Sequence, residues 1–333
     1  MKLLTIVLPT YKRCKFVEEN IIAILPQLIK YKEEVSLLVT DNASNDGTTE
    51  VVSRFLNADC DIKYHCQKEN IGAHGNFYWG IDNSESEFVF LLGDDDICSP
   101  NFLDSVLPIL RENRNKLGIL HFNYIMGSPD MKGESLFNTN FENANIVVEY
   151  NDASEFIKTY WIGPSFISSL IFRKEIMEKG KKTNYHEDCF GYDWLLAIYT
   201  GSIGFTCIYY KMPLLVQRFG NSYPNFALNT ILGQYKLFYY LDNYIPGISR
   251  QWKKQVASQK YYNVVNVIST IINNKDVYSP IYNDLKCCLD NSIHRLALFI
   301  SIKVPKIISL PLLKLMIIYN KAMRYIQNNG WTC

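Results

Sequence analysis

A run of five apolar residues followed by three aspartates constrains this sequence more than any other feature. The apolar part, Phe88–Leu92, has the length and β-propensity of a strand buried on both faces, the usual state of a central parallel strand. The aspartates Asp94–Asp96 then follow at its carboxyl end, where open α/β sheets bind ligands. Because adjacent carboxylates repel one another, the cluster needs a cation or hydrogen-bond donors nearby. A solvated acidic loop capping the next helix is the alternative.

Earlier in the chain, two more apolar runs and one short strand pattern are each followed by a polar turn and a helical pattern. The predicted strands are Leu3–Leu8, Val35–Thr40 and Ile62–Cys66, and helices are predicted to start near Phe16, Thr48 and Asn70. Pro26 is expected to kink or break the first helix. Such repeats predict an α/β fold with a mostly parallel, doubly wound sheet flanked by helices.

The second half alternates less regularly and ends in long helical periods. Helices are predicted from residues 102, 152, 173 and 192, strands over 117–124, 167–172, 205–210 and 214–219, and a polar excursion over 128–145. After Pro224 few strand patterns remain. We therefore expect a domain over residues 1–224 and a helical C-terminal region over 225–333.

Composition excludes some classes of function. With 34 basic and 33 acidic residues the chain has no overall nucleic-acid signature. Its nine cysteines are scattered without zinc-ribbon spacing, which favours reduced thiols in a cytosolic compartment. Pro9 ends the first apolar run too early for a secretory signal, so we expect none.

Four polar segments are predicted to line one crevice at the carboxyl ends of the strands, namely residues 9–13, 41–48, 70–76 and 93–96. Their chemistry suits a nucleoside diphosphate. Tyr11 can stack on a base, Asp41 can accept from a base N–H, and Arg13 can meet phosphate. The carboxylates suit Mg²⁺ or Mn²⁺. Taken singly, each segment is a weak signal with an ordinary structural explanation as a strand stop, a helix cap or a turn.

In order, these segments resemble the donor half of family 2 glycosyltransferases with the GT-A fold. The four blocks read VLPTYKR, VTDNASNDGT, ENIGAHGNFYWGI and FVFLLGDDDICSPNFL, and the resemblance extends over about residues 3–220. The GDDD block is similar to the abequosyltransferase-like subgroup of bacterial surface-polysaccharide enzymes. The resemblance implies a nucleotide-sugar half over residues 1–100 and an acceptor half over 101–224. No G-x-G-x-x-G follows the first strand, which disfavours a dinucleotide-binding dehydrogenase.

The resemblance also implies roles for single residues of the donor half. The positions matching its nucleotide-binding motifs are Pro9, Thr10, Tyr11, Asp41, Asn70, Gly72, Asn76 and Asp94, joined by Arg13 from the chemistry above. Asp95 and Asp96 are predicted to bind Mn²⁺ or Mg²⁺. Gly93 stands where many members have the first aspartate of D-x-D-D, so Asp95 is the preferred ligand. Which of Asp94 and Asp96 supports it stays open.

For the acceptor half, the resemblance places the catalytic base at Asp193, in a Y-D-x-x-L block where many members have E-D-x-x-L. A helix cap is the alternative role, and Asp188 is the fallback base. His186 and Asp188 are predicted acceptor or metal contacts, or simply loop residues. Trp161 is predicted to meet the acceptor or to lie in the core. Arg218 is predicted to neutralise the leaving diphosphate or to form a structural salt bridge.

The C-terminal tail is basic. From Asn291 onward there is no acidic residue, and Pro and Lys interrupt every apolar run before the roughly 20 residues of a transmembrane helix. The pattern predicts a basic amphipathic segment on an anionic membrane surface, or else a lid or oligomer contact.

Together these features predict a metal-dependent inverting glycosyltransferase. It would move a sugar from a nucleoside-diphosphate-sugar to a saccharide or lipid-linked acceptor in lipopolysaccharide (O-antigen), lipooligosaccharide or capsule biosynthesis. It is expected in the cytoplasm, peripheral at the inner face of the membrane, with an oligomer possible and no nucleic-acid partner. The alternatives are a nucleotidyltransferase, for which Pro9–Tyr11 is a poor triphosphate loop, and a non-catalytic glycan-binding protein on a transferase scaffold.

Overall fold

The structure is a computed structural model that describes residues 1–127, 145–184, 191–218, 226–252, 292–303 and 311. The chain divides into two compact units, residues 1–186 with 192–223 and residues 187–191 with 224–333. Most of the polar excursion predicted over 128–145 lies outside the described residues, as do His186, Asp188 and most of the basic tail.

The first unit is built on a nine-stranded sheet. The strands are β1 (Lys2–Thr10), β2 (Val35–Asp41), β3 (Asp61–Cys66), β4 (Ser86–Leu91), β5 (Ile97–Cys98), β6 (Leu117–Gly127), β7 (Val147–Tyr150), β8 (Leu170–Arg173) and β9 (Thr206–Arg218). Their order is β3-β2-β1-β4-β8-β6-β9-β5, and β7 also pairs with β9. Strands β3, β2, β1 and β4 are parallel, as are β6 and β9, whereas β5, β7 and β8 pair antiparallel with their neighbours. The predicted α/β class with a mostly parallel sheet is confirmed.

Helices flank this sheet in chain order. They are α1 (Cys14–Lys30), α2 (Thr48–Ser53), α3 (Gly72–Asp82), α4 (Phe102–Glu112), α5 (Ala153–Tyr160), α6 (Lys174–Asn184) and α7 (Asp193–Ser202). Each of the longer ones buries an apolar stripe; α1, for example, buries Val17, Ile21, Ile24 and Leu28. The helical start predicted at Thr48 is confirmed.

The core holds the aspartate turn in place through β4. Phe88 and Phe90 are fully buried, and in the parallel ladder they lie beside Leu4 and Ile6 of β1. The Phe90 ring packs against the rings of the helix α4 residue Phe102 and the β6 residue Phe122, with centroids 4.9 and 5.8 Å away. Contacts with β1, α4 and β6 therefore hold the carboxyl end of β4 in place.

Two sequence predictions about where elements end are corrected by the structure. Of the kink or break expected at Pro26, the break is absent, because helix α1 continues through Pro26; the kink stays a prediction. The buried apolar stripe on either side outweighs the one lost hydrogen bond. The two strands predicted over 205–210 and 214–219 are one strand, β9, which runs through Pro213. Pro213 lies opposite Asn123 at a register shift, and a bulge is where a strand tolerates proline. The short strands β5 and β7 were not predicted.

The second unit is helical in its described part, with α8 (Phe226–Leu241) and α9 (Ser292–Lys303). Among the described residues, no helix combines the length and apolar character needed to cross a membrane.

Candidate functional site

The turn after β1 and the aspartate turn after β4 are joined by side-chain contacts. The Thr10 hydroxyl donates to Asp94 Oδ2 at 2.8 Å. The Arg13 guanidinium donates from one nitrogen to Asp94 Oδ1 and to Asp95 Oδ2, each at 2.9 Å. One cation therefore bridges two neighbouring carboxylates, which reduces their mutual repulsion.

The loops after β2 and β3 join the same edge of the sheet. The backbone N–H of Lys12 donates to Ser44 Oγ at 2.8 Å. The side chain of Asn42 donates to Asn70 Oδ1 at 2.8 Å and accepts from the backbone N–H of Ile71 at 2.9 Å. All four segments predicted to line one crevice are thus connected by hydrogen bonds at the carboxyl ends of β1 to β4.

The two residues predicted to meet the base lie in this cluster. The Tyr11 hydroxyl bonds the Asn70 side chain, and this contact and the Lys12 ammonium lower the pKa of Tyr11. Asp41 is buried, and its carboxylate accepts from the backbone N–H and hydroxyl of Ser44 and from the Tyr64 hydroxyl. Asp41 thereby orders its own loop, and its role toward a nucleobase stays a prediction.

The predicted N-x-G-x-x-x-N block is positioned at the start of α3. Asn70 Oδ1 accepts from the backbone N–H of Gly72 at 2.8 Å, and Gly72 has a φ of 80°, which glycine adopts without strain. The buried Asn76 side chain donates to the carbonyl of Thr40 at 2.7 Å. The strand end predicted at Pro9 is corrected: β1 continues to Thr10, and Pro9 pairs with Thr40 in the ladder directly before this cluster.

The three aspartates have different surroundings. Asp94 and Asp96 are 7% and 4% exposed, whereas the side chain of Asp95 is 21% exposed. Asp96 accepts from the Ser168 hydroxyl at 2.5 Å and from the backbone N–H of Arg218 at 3.3 Å. Asp95 therefore presents the most accessible carboxylate of the three.

Burial raises the pKa of two of these carboxyls. For Asp94, burial outweighs the opposing effects of the Arg13 charge and the Thr10 hydrogen bond. For Asp96, burial and the charge of Asp95 raise the pKa to about 7, against the hydrogen bond from Ser168. The raised pKa of Asp96 reduces the negative charge that the turn holds at neutral pH.

Two residues that shape the aspartate turn were missed from the sequence. The buried Asn20 side chain of α1 donates to the carbonyl of Asp96 at 2.6 Å and to those of Gly93 and Asp94 at 3.3 Å. Ser168 also accepts from the backbone N–H of Gly93 at 2.9 Å. Their separations of 72 to 76 residues from the turn left no local signal.

The carboxylates of the turn are oxygen ligands, which hard divalent cations such as Mg²⁺ prefer. Among the described residues there is no group of three His, Cys, Asp or Glu side chains placed to hold a metal ion. Mg²⁺ in nucleotide sites is nevertheless commonly held by one or two carboxylates and the substrate's phosphates. Asp95 is accessible for that, and the role of Asp96, now bonded to Ser168, stays a prediction.

Asp193 begins helix α7, where the helix dipole favours a negative charge. The residue is 4% exposed. Tyr78 donates its hydroxyl to Asp193 Oδ2 at 2.6 Å, and His74 Nδ1 lies 3.3 Å from Oδ1. Burial alone would raise the pKa of Asp193, but the hydrogen bonds from His74 and Tyr78 lower it overall. Neither α3 residue was predicted from the sequence.

Of the remaining predicted residues, two are described by the structure and two are not. Arg218 is buried, pairs with Glu19 at 2.6 Å, donates to the carbonyl of Asp95 and lies over the Phe16 ring. This is the salt bridge left open as an alternative, and a role at a diphosphate stays a prediction. Trp161 is partly buried with a φ of 49°, and its carbonyl accepts from the Tyr199 hydroxyl. His186 and Asp188 are not among the described residues.

Sequence comparison identifies relatives. The family model described as "Glycosyl transferase family 2" matches residues 5–177. The chain is 26% identical over 193 residues to a GalNAc(5)-diNAcBac-PP-undecaprenol beta-1,3-glucosyltransferase of Campylobacter jejuni, covering 57% of each chain. It is 27% identical over 124 residues to the abequosyltransferase RfbV of Salmonella typhimurium, covering 35% of this chain and 37% of that one.

A third relative is an uncharacterized glycosyltransferase of Rickettsia conorii, 33% identical over 134 residues, or 40% of this chain and 21% of that protein. The chain thus spans between about a fifth and three fifths of the length of these relatives.

Structure comparison supports the fold. S. aureus TarS residues 1–349 match with a TM-score of 0.56 and 14% identity, covering 90% of this chain and 86% of that one. The same protein in complex with UDP matches with a TM-score of 0.52 and 15% identity, covering 90% and 87%.

Proposed function

Because the chain belongs to glycosyl transferase family 2, we propose that it is an inverting glycosyltransferase acting on a nucleoside-diphosphate-sugar and a saccharide acceptor. The observation that supports this proposal best is the hydrogen-bonded cluster of four turns around Asp94–Asp96. A site of that kind offers a base-stacking ring, cationic groups and an accessible carboxylate within one edge of the sheet.

The donor is proposed to lie along this edge. Tyr11 supplies a ring for the base, and the turn containing Gly72 lets backbone approach the ribose or pyrophosphate closely. Arg13 supplies positive charge near phosphate oxygens, in addition to its contacts with the aspartates.

We include a divalent cation, Mn²⁺ or Mg²⁺, in the proposal. Asp95 would hold it together with oxygens of the diphosphate, and Asp94 or Asp96 would support Asp95. When bound, such an ion stabilises the negative charge that develops on the leaving diphosphate. Arg218 is proposed to add a fixed positive charge at the same turn.

Asp193 is proposed as the general base. The acceptor hydroxyl oxygen bonds to the anomeric carbon as the bond from that carbon to the diphosphate oxygen breaks, and the diphosphate leaves with the electron pair. Asp193 takes the hydroxyl proton. One in-line displacement inverts the anomeric configuration. The lowered pKa of Asp193, which follows from the two α3 hydrogen bonds overcoming burial, keeps it ionised for that task at neutral pH.

The acceptor is proposed to be a growing surface glycan on a lipid carrier, as in lipopolysaccharide, lipooligosaccharide or capsule synthesis at the inner face of the cytoplasmic membrane. The name of the Campylobacter relative includes an undecaprenol diphosphate, and that of the Salmonella relative an abequosyl transfer. Trp161, His186 and Asp188 are proposed acceptor contacts. The basic tail is proposed to bind the membrane.

The first experiment measures binding. The purified chain is heated with UDP, GDP, CDP or dTDP, each with and without Mn²⁺, and the midpoint of unfolding is recorded. One nucleoside diphosphate should raise the midpoint, and more so with the metal, because a ligand that binds the folded state stabilises it. No shift with any of the four would contradict a diphosphate site.

The second experiment measures transfer. With the matching nucleotide-sugar, Asp193→Asn should keep nucleotide binding and lower transfer by roughly 10²–10⁴-fold, the usual contribution of a general base. Asp59→Asn is the matched control, since Asp59 forms a surface ion pair with Lys32. Retained transfer in Asp193→Asn would remove Asp193 from the role of base.

A further inference from the structure

Two side chains of helix α3 hold both oxygens of the Asp193 carboxylate. Tyr78 donates to Oδ2 at 2.6 Å, and His74 Nδ1 lies 3.3 Å from Oδ1. His74 and Tyr78 are four residues apart and therefore share one face of the helix. Asp193 is far away in sequence, so this contact is made by the fold and not by local chain geometry.

The opposite face of α3 is anchored on the sheet. Asn76, midway between His74 and Tyr78, is buried and donates to the carbonyl of Thr40 at 2.7 Å. Gly80 is buried so closely against the sheet that an added Cβ would meet the Val7 side chain. Residues two apart point to opposite sides of a helix, so α3 grips the sheet with one face and Asp193 with the other.

The start of α3 belongs to the proposed donor edge. Asn70, which accepts from the backbone N–H of Gly72, also bonds the side chains of Asn42 and Tyr11. One short helix thus connects the turns proposed to bind the nucleotide to the carboxylate proposed to act as base. Its length sets the distance between the two.

We propose that His74 and Tyr78 are positioning residues that fix the orientation of the Asp193 carboxylate relative to the donor. The inference rests on the proposed transfer reaction. Each Asp193 oxygen has two acceptor sites, so a hydrogen bond from α3 leaves a lone pair for the acceptor proton. A carboxylate restrained at both oxygens loses little orientational freedom when that proton arrives.

The test compares side chains that differ in one hydrogen-bond donor. Asn and Leu both branch at Cγ, and the Asn amide can occupy the position of His Nδ1, whereas Leu has no donor. His74→Leu should lower kcat about 10- to 100-fold, and His74→Asn should recover most of it. The half-exposed position of His74, at 46% of its side chain, tolerates both.

Tyr78→Phe is the second variant. It should lower kcat by a similar factor while keeping the ring, including the contact 4.5 Å from Lys181 Nζ to the ring centroid. The control is Tyr31→Phe, which removes a tyrosine–aspartate hydrogen bond, to Asp104, away from the site. KM for the nucleotide-sugar, the Kd for the matching nucleoside diphosphate and the unfolding midpoint are measured for all four variants.

A fall in kcat with KM and Kd unchanged within twofold, reversed by Asn at position 74, supports positioning. Wild-type kcat in both His74→Leu and Tyr78→Phe overturns it. So does an equal loss in His74→Asn and His74→Leu, since the donor would then be irrelevant. If the wild type transfers no sugar from any of the four nucleotide classes, the proposed function fails and this inference fails with it.

Discussion

The buried histidine His121 predicts how the free energy of unfolding depends on pH. It lies on β6, 6% exposed, and its Nδ1 lies 3.0 Å from the carbonyl of Ser169. The rings of Tyr160 and Tyr209 pack on it, with centroids 5.7 and 5.4 Å away. Burial lowers the pKa of His121 to about 4, against the hydrogen bond to Ser169. The perturbation is a change from pH 7 to pH 5.

The sign follows from proton linkage. An unfolded histidine has a pKa near 6.5, so between about pH 6.5 and 4 the unfolded chain binds a proton that the folded chain does not. The contribution of the neutral, buried His121 to the free energy of unfolding is complete above pH 6.5 and is lost as the pH falls toward 4. Linkage gives a loss of about 2 kcal/mol in the free energy of unfolding at pH 5, and about 3 kcal/mol once both states are protonated.

The assay is chemical denaturation of the wild type and of His121→Asn at pH 7 and pH 5. Asn keeps a donor for the Ser169 carbonyl and does not titrate; its packing loss is the same at both pH values and cancels. The wild type should lose about 2 kcal/mol more than the variant. A histidine NMR titration should also show a signal, absent from the variant, that titrates well below pH 6.5. Equal pH slopes in the two proteins would refute the reasoning.

Three further outcomes are expected. Gly201→Ala should destabilise the first unit by about 1–3 kcal/mol in denaturation, because an added Cβ would lie much closer than 3.0 Å to the Ile176 carbonyl oxygen. Gly75→Ala should be nearly neutral, because only the flexible Ile71 side chain must move. Asn20→Ala should weaken nucleoside-diphosphate binding in calorimetry and lower the unfolding free energy by about 1–3 kcal/mol, since buried carbonyls of the aspartate turn lose their donor. Chelation of divalent ions with EDTA should abolish the Mn²⁺-dependent part of the nucleotide thermal shift, and added Mn²⁺ should restore it.

The strands and site segments of the first half of the chain could be predicted because the sequence patterns that mark them are local. The buried parallel strands β2 and β4 are largely apolar and each ends in a polar turn, so their sequences predicted both strands and site segments. The shorter β3 was also predicted, although it is mostly not buried. The parallel order β3-β2-β1-β4 then follows from short right-handed connections. Hydrogen bonds among the predicted turns arise from this order.

What the sequence did not indicate depends on contacts between distant segments. Tyr78 and Asp193 are 115 residues apart, and nothing near either residue marks the pair. Asn20 looks like an ordinary polar residue of an amphipathic helix until the fold places it beneath the aspartate turn. The sequence predicted separate strands over 205–210 and 214–219, whereas β9 continues through Pro213 at an irregularity in its pairing with β6, where a strand tolerates proline.

The fold reduces the electrostatic repulsion among the three aspartates of the turn after β4, the feature that marked this turn in the sequence. Asp94 accepts hydrogen bonds from Thr10 and from the Arg13 cation, and burial raises the pKa of Asp96 to about 7 against the hydrogen bond from Ser168. Asp95 shares the Arg13 cation but keeps the most exposed carboxylate. If all three carboxylates faced solvent, their charges would repel and no one oxygen would be fixed. Because Asp94 and Asp96 are held by internal hydrogen bonds, the turn that contains them also fixes the position of Asp95. A fixed and accessible carboxylate is what a cation held jointly by protein and diphosphate would require.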